Sequence, residues 1–325
     1  MNKKTEIVDI KKISVVMCTY NGADYLKEQI DSIINQTYPV YEFIIQDDCS
    51  TDLTASILRE YEEKYDYIHL YINEKQKGIN GNFFSAMEQA TGDFIAISDQ
   101  DDIWKADKIE TQINSIGEKW LSCGFSKLFS PGKEIYFDER IPNPGIERLI
   151  YVNTLAAGHT MLLNKKLLSF VPRNTSIIYD HLILIIAASN DMISFINKVL
   201  VNHREHESSA TYTVPVMKRG GNNKSIKNIA GSLFRTLKQY FELRSDIQTY
   251  FSEVYAVLKT TPDWNAKKTA LKMAEFQSKK GPLSYIKLTC YCIKSRCKLF
   301  YTIEKDSIFT LLRAIYFPIS SSDYF

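Results

Sequence analysis

The sequence predicts an α/β fold: a mostly parallel sheet flanked by helices, continued by a C-terminal helical region. Three observations carry that expectation. Four short β-rich runs in the first hundred residues alternate with segments of helical period, the pattern of parallel strands joined by crossover helices. Polar and acidic residues stand directly after three of these runs, where one sheet would present its carboxyl edge. The charge also changes sign along the chain. Up to Met217 there are 21 Lys and Arg against 30 Asp and Glu, and beyond it 19 against 8, so the two parts carry −9 and +11 under a net +2. A mixed domain is therefore expected over 1–217, with halves of about 11–120 and 121–217, followed by a basic helical tail over 218–325.

The expected strands are 13–18, 43–46, 68–72 and 94–98. Between the first two, Tyr25, Leu26, Ile30, Ile33 and Ile34 recur at three- and four-residue spacing, which is one helical face. A second helix would pass through Ile57, Leu58 and Tyr61 with Ser50 or Asp48 as its cap. A third would pass through Phe84, Met87 and Ala90, capped by Asn80 or Asn82 and ended by Gly92. From 117 to 202 the pattern is mixed, with a strand at 159–163, a helix after Asp180 and a strand near 199–203. The tail reads as helices broken at Pro262 and Gly281-Pro282.

Composition excludes several classes. Hydrophobic residues make up 45% of the 325, and Gly 13 with Pro 9 is too little for a low-complexity or collagenous chain. The apolar runs at 182–188 and 308–312 are well short of the about 18 residues a membrane span needs, and the polar start MNKKTEIVDIKK predicts a cytoplasmic location. The cysteines are scattered, and C-x-C-x4-C at Cys290, Cys292 and Cys297 lacks a fourth ligand, so reduced thiols are expected. No G-x-G-x-x-G follows the first strand and no P-loop occurs, which disfavours both nucleotide folds.

The strongest chemical signal is SDQDDIW at 98–104, where an apolar run ends. Residues two apart share a face of an extended segment, so Asp99 and Asp101 point the same way with Asp102 at the turn. Such carboxylates repel unless a cation or protons intervene, and Mg2+ or Mn2+ suits an all-oxygen set that shares its shell with phosphates. Capping of the following segment is the structural alternative. Asp47 and Asp48 end a second strand and CTYNG ends a third, with turn chemistry as the alternative for Asp47, Ser50 and Asp52. His159, His181, His203 and His206 fall within 48 residues of each other.

Together CTYNG, QDDCSTD, the Lys75–Gly78 loop, ATGDFIAISDQDDIW and DKI resemble the family 2 nucleotide-sugar glycosyltransferases of A-type fold, over about residues 11–210. The DQDDIW form resembles their rhamnosyltransferase-like branch. The resemblance implies a nucleotide-diphospho-sugar-binding sheet. Asp99, Asp101 and Asp102 would contact the donor ribose and chelate Mg2+ or Mn2+, Asp48 would meet the pyrimidine, and Cys18, Thr19, Tyr20 and Asn21 would line the nucleotide pocket. A carboxylate at Asp48 suits the N3–H of uracil or thymine, which favours a UDP- or dTDP-sugar. Lys75 or Lys77 could reach phosphate oxygens. Asp180, at a helix start, takes the general base's place, and LVNHREHESSAT resembles the stretch that would turn Arg204 or His206 toward the diphosphate or metal.

The implied activity is metal-dependent inverting transfer of a sugar, such as rhamnose, to a glycan or polyprenyl-diphosphate-linked acceptor in bacterial surface polysaccharide synthesis. A sugar-phosphate nucleotidyltransferase would need a Gly-rich, Arg-containing loop that CTYNGADY lacks, and a non-catalytic sugar-nucleotide-binding subunit is disfavoured by the presence of Asp180. In the tail, 226–244 and 283–301 read as amphipathic helices. The second has Ile286, Cys290, Ile293, Cys297 and Phe300 on one stripe and a basic-aromatic stripe beside it. With the apolar 308–317 segment they suit an anionic membrane surface, hence peripheral attachment at the inner face of the plasma membrane; a packed helical bundle is the alternative. Nucleic acid is not an expected partner, because no recognition motif accompanies the charge.

Overall fold

The computed structural model describes residues 10–130, 137–206, 235–262, 265 and 267–325. β1 (Ile13–Thr19), β2 (Glu42–Asp47), β3 (Ile68–Ile72) and β4 (Phe94–Ser98) lie within a residue of their expected bounds and pair in parallel. Their connections are α1 (Leu26–Ile34), α2 (Thr54–Lys64) and α3 (Gly78–Gln89). β1, β2 and β4 read as continuous apolar runs because helices cover both faces. After β5 (Ile103–Trp104) and α4 (Lys108–Ile116), the second half adds β6 (Leu121–Phe129), α5 (Ile146–Leu149), β7 (Leu162–Asn164), α6 (Tyr179–Ser189) and β8 (Ile193–Arg204). The sheet runs β3-β2-β1-β4-β7-β6-β8-β5, with β7 antiparallel to both of its neighbours and β5 antiparallel to β8.

Several expected details change. Asp48 and Ser50 do not cap α2; Asp52 Oδ1 accepts from Thr54 N at 3.0 Å instead. Asp48 holds the start of α3, and Asn80 and Asn82 lie inside that helix rather than at its cap. The strand expected at 159–163 starts later, because Thr160 N and Oγ1 both donate to Ala157 O and close a 3-10 turn over Gly158–Thr160. β6 was not anticipated: LSCGFS alternates for six residues, but the alternation breaks at Ser126-Lys127, and pairing with β8 carries the strand on to Phe129. Gly124 lies at its bulge, where a Cβ would stand 2.9 Å from Ile196 O.

The tail forms α7 (Arg244–Thr260), α8 (Lys267–Gln277), α9 (Pro282–Lys294) and α10 (Ile308–Ser320). Residues 235–242 are also helical, whereas 226–234 and the expected boundary at 217 lie outside the described residues. The helix expected over 283–301 stops at Lys294, where Ser295 N turns back to Tyr291 O and Cys292 O. Its buried face is Leu288 and Cys292; Ile286, expected on the apolar stripe, is 58% exposed. The tail shares one apolar core with the second half of the sheet domain. Residues 182–189 of α6 are all buried, and Tyr151 meets Phe251 of α7 and Phe317 of α10 at 4.8 Å each.

Beneath the other face, Lys108 is fully buried, with Nζ 3.7 Å from the Trp104 ring centre and donating to Gln112 Oε1 at 2.9 Å. Burial pushes its pKa down to about 7. The unfolded chain then binds more protons than the folded one between pH 7 and the ordinary lysine range, so this site's contribution to stability rises with pH by up to about 1.4 kcal/mol per unit. In urea denaturation, Lys108→Met should be favoured over the parent most at pH 7, and the difference should shrink steadily toward about pH 9.5. A difference independent of pH would mean that the ammonium keeps its charge in the fold.

Candidate active site

Three parallel strands deliver side chains to one edge. β1 ends in Cys18 and Thr19, and the next turn carries Tyr20 and Asn21, the latter at φ +48, a conformation asparagine tolerates. This turn is tied to both neighbouring strand ends. Thr19 Oγ1 donates to Asp47 Oδ1 at 2.8 Å, Thr51 N donates to Asn21 Oδ1 at 2.8 Å, and Tyr20 N donates to Gln100 Oε1 at 2.9 Å. Burial, reinforced by Asp99 and Asp48, pushes the Cys18 thiol well above its usual range, so it stays neutral.

At the end of β2 the two carboxylates differ. Asp47 is fully buried and serves the turn, accepting from Thr19 Oγ1, Ser50 N and Ser50 Oγ. Asp48 accepts from Asn73 Nδ2 at 2.7 Å, Lys77 N at 2.7 Å and Gly78 N at 2.9 Å. The Lys77 ammonium donates to Ser85 Oγ at 2.8 Å along α3, and Lys75 is exposed.

The acidic motif after β4 is held by histidines. Asp102 is fully buried, with Oδ1 2.8 Å from His203 Nδ1 and Oδ2 3.3 Å from His159 Nδ1, and Arg204 N donates to Oδ1 at 3.1 Å. His159 Nδ1 also stands 3.0 Å from Asp99 Oδ2, and its ring stacks on His203 with centres 4.7 Å apart. Burial opposes charge on Asp102, but the two imidazoles and the Arg204 amide more than offset it and lower its pKa. On His159 burial also opposes charge, yet Asp102, Asp99 and Asp101 push the pKa up to about 9. The remaining carboxylate, Asp101, is raised by burial and by its two acidic neighbours, against the pull of His206, whose Nε2 lies 2.8 Å from Asp101 Oδ2. Arg204 Nε donates to Asp101 O at 2.9 Å and its guanidinium pairs with Glu28, so it braces the motif from behind.

Asp180 stands in the first turn of α6, not at its cap, which is Ile178. Its Oδ1 accepts from His181 N at 2.6 Å and its Oδ2 faces Asn153 Nδ2 at 3.3 Å. Burial raises its pKa to about 6, and the charges of Asp99 and His159 also reach it. Tyr179 stacks on Phe83 at 4.0 Å with its hydroxyl against Gly158 and within reach of the Asp99 charge, and Asp180 is the carboxylate that this helix start brings toward the acidic motif.

The structure thus gathers Cys18, Asp48, Asp99, Asp101, Asp102, His206 and Asp180 around the strand ends, and it assigns His159 and His203 to the same network. A divalent cation fits the donor chemistry: Asp101 offers a carboxylate and His206 an imidazole, a mixed oxygen and nitrogen set suited to Mn2+, while Asp102, His159 and His203 offer three atoms within 4.8 Å of one another. Sequence reading missed Asn73 and Gln100 and took Asn82 only as a helix cap. Asn82 Nδ2 donates to Gln46 O and its Oδ1 accepts from Asn73 Nδ2. For Asn82 the available signal was polarity inside a helical run, where asparagine is unfavourable unless it bonds something.

A family model described as glycosyl transferase family 2 matches residues 14–188. TuaG of Bacillus subtilis, a glycosyltransferase named for teichuronic acid biosynthesis, is 40% identical over 114 residues, 35% of this chain and 44% of that protein. The UDP-Glc:α-D-GlcNAc-diphosphoundecaprenol β-1,3-glucosyltransferase WfgD of Escherichia coli is 38% identical over 102 residues, 31% and 40% of the two chains. The matches therefore span less than half the length of these two relatives. Among solved structures, S. aureus TarS 1–349 in complex with UDP-GlcNAc matches with a TM-score of 0.58 at 18% identity, covering 96% of this chain and 89% of that one. The mannosyltransferase PcManGT of Pyrobaculum calidifontis, in complex with GDP-Man and Mn2+, matches at 0.51 and 17%, covering 97% and 84%. These two likenesses concern the fold, which is the A-type architecture expected from the sequence.

The two inner carboxylates should behave differently when neutralised. Asp102→Asn leaves His159 and His203 without their shared partner and should lower the free energy of unfolding by about 3–5 kcal/mol, the usual cost of breaking a buried pair. Asp101→Asn should leave the urea midpoint close to the parent's. Equal midpoints for the two variants would remove Asp102 from its structural role.

Proposed function

The chain belongs to glycosyl transferase family 2, a model of which matches more than half its length, and on that premise we propose that it is an inverting transferase. It moves a sugar from a UDP- or dTDP-sugar to a glycan or polyprenyl-diphosphate-linked acceptor in bacterial surface polysaccharide synthesis. The observation that carries the proposal is Asp180, a half-buried carboxylate with a pKa near 6 that feels the charge of Asp99 in the acidic motif. At neutral pH such a group is ionised yet basic enough to accept a proton. The acceptor hydroxyl gives its proton to Asp180 as its oxygen bonds the anomeric carbon, and the bond to the donor diphosphate breaks on the opposite face.

Asp48 supports a uracil or thymine base. An ionised carboxylate offers about four acceptor sites, and Asn73, Lys77 and Gly78 fill three, which leaves one for an N3–H. Cys18, Thr19, Tyr20 and Asn21 stand beside it on the next strand end, and Asp99 is the ribose contact. Asp101 and His206, with Asp102 behind them, would hold Mg2+ or Mn2+, which when bound neutralises charge on the leaving diphosphate. The Mn2+ in the PcManGT complex supports this. Rhamnose is supported by the DQDDIW form and glucose by the printed donor of WfgD, so turnover of a nucleotide-sugar panel with lipid-linked acceptors separates them.

We also propose peripheral attachment at the inner face of the plasma membrane. Among the described residues no helix is long and apolar enough to cross a bilayer. α10 nevertheless leaves Ile308, Phe309, Leu312 and Ile315 exposed on one side, with Lys287, Lys294 and Lys305 exposed nearby in sequence. An apolar face combined with basic charge gives attachment where either alone is marginal.

Asp180→Asn should keep donor affinity by titration calorimetry and lose transfer by about 10²- to 10⁴-fold. In the parent, kcat/KM should fall as the pH drops through about 6, where Asp180 takes up its proton. Lost donor binding in the variant would put Asp180 in the nucleotide site instead. For attachment, the full chain should float with anionic vesicles at low salt and Phe309→Glu with Leu312→Glu should not; flotation unchanged by that pair would end the membrane reading.

A further inference from the structure

We propose that Glu253, on the tail helix α7, is a positioning residue for the segment that delivers Asp180, so that the tail is part of the catalytic assembly. The inference rests on the reading of Asp180 as the base. Between the 3-10 turn Lys165–Phe170 and α6 the chain runs without regular structure, and such a segment keeps one shape only if its polar groups are tied down. The Glu253 carboxylate does this with both oxygens. Oε2 accepts from Thr175 Oγ1 at 2.7 Å and from Ser176 N at 2.8 Å, and Oε1 accepts from Ser176 Oγ at 3.0 Å. Thr175 Oγ1 in turn accepts from Ile177 N at 3.1 Å.

The same segment is held from its other side by Asn80 of α3, whose Nδ2 donates to Ile177 O at 3.0 Å and whose Oδ1 accepts from Tyr179 N at 2.8 Å. Asp180 is the next residue. Beyond it the tail takes hold again: Tyr250 OH lies 3.4 Å from His181 Nδ1, and His181 Nε2 lies 2.6 Å from Leu149 O. Tyr250 and Glu253 are three residues apart, on one face of α7. One helix of the tail therefore grips the chain on both sides of Asp180, with charge-assisted bonds on the upstream side. Glu253 touches neither donor nor acceptor in this scheme; it acts by fixing where the Asp180 carboxylate stands.

Misplacing a catalytic group by about 1 Å can cost on the order of a hundredfold in rate. Steady-state kinetics of the full chain with a nucleotide sugar that it turns over should show kcat reduced about ten- to hundredfold in Glu253→Ala, with donor KM changed less than about twofold and the melting temperature near the parent's. Glu253→Gln, which keeps one acceptor oxygen, should recover part of the rate. Thr175→Val with Ser176→Ala removes the two side-chain bonds from the loop side and leaves the one from Ser176 N, so it should give a smaller loss in the same direction, not additive with Glu253→Ala. Parental kcat in Glu253→Ala, or kcat and donor KM falling together with stability, overturns the proposal. Asp180→Asn in the same assay keeps the two questions apart. If it retains parental transfer, the base assignment fails; if it is inactive while Glu253→Ala is not, only the positioning role fails.

Discussion

Three carboxylates within four residues at the end of a strand repel one another, and the most buried of them, Asp102, has no water to screen it. The fold answers with two stacked imidazoles. His203 comes from the end of β8 and His159 from the 3-10 turn before β7, so neutralising Asp102 joins three parts of the chain distant in sequence. With Asp102 committed inward, Asp99 keeps about a third of its side chain exposed and Asp101 stands next to His206 near the mouth. Removing a partner from such a network leaves an uncompensated charge in low dielectric, which is why the arrangement behaves as a unit.

The sheet order explains why the crevice opens where it does. β1, β2 and β4 all end at the same edge, and β4 is followed in the sheet by β7, which runs the opposite way. The 3-10 turn leading into β7 therefore arrives at that edge and brings His159 to the motif. Gly158 keeps the approach close: a Cβ there would stand 2.2 Å from the Tyr179 hydroxyl. The Tyr179 ring in turn stacks on Phe83 of α3, so the start of α6 is fixed against the first half of the domain by an aromatic contact as well as by Asn80.

How much of this was legible in the sequence follows from which interactions are local. The first four strands were, because burial on both faces imposes apolar runs with turn residues after them. The gathering of Asp48, Asp99, Asp101 and Asp180 at one edge was legible through the motifs. What stayed hidden depends on contacts far apart in sequence. β6 alternates only over LSCGFS, and it is pairing with β7 and β8 that makes the whole stretch to Phe129 a strand. Asp48 reads as a cap for the nearest helix but bonds the start of the following one, 29 and 30 residues away. Lys108 sits in an apparently polar DKI stretch and is fully buried. The tail's buried stripe is offset from the expected one because its neighbours, α8 and α10, decide which side of α9 is covered.

The shared core of α6 and the tail bears on the order in which the molecule can assemble. α6 is apolar around almost its whole circumference, and Tyr151 beside it is capped by Phe251 and Phe317, the latter 166 residues further along the chain. During synthesis the sheet half can condense early, from the more local pairings of β1, β2, β3 and β4. The tail-facing side of α6 then stays uncovered until α7 through α10 have emerged. Contacts of such long sequence separation close late because the loop entropy must be met before they form. The crevice at the ends of β1, β2 and β4 should thus form in a nascent chain before the helix bearing Asp180 is fully covered, and in the interval the bare face of α6 is where a chaperone would bind.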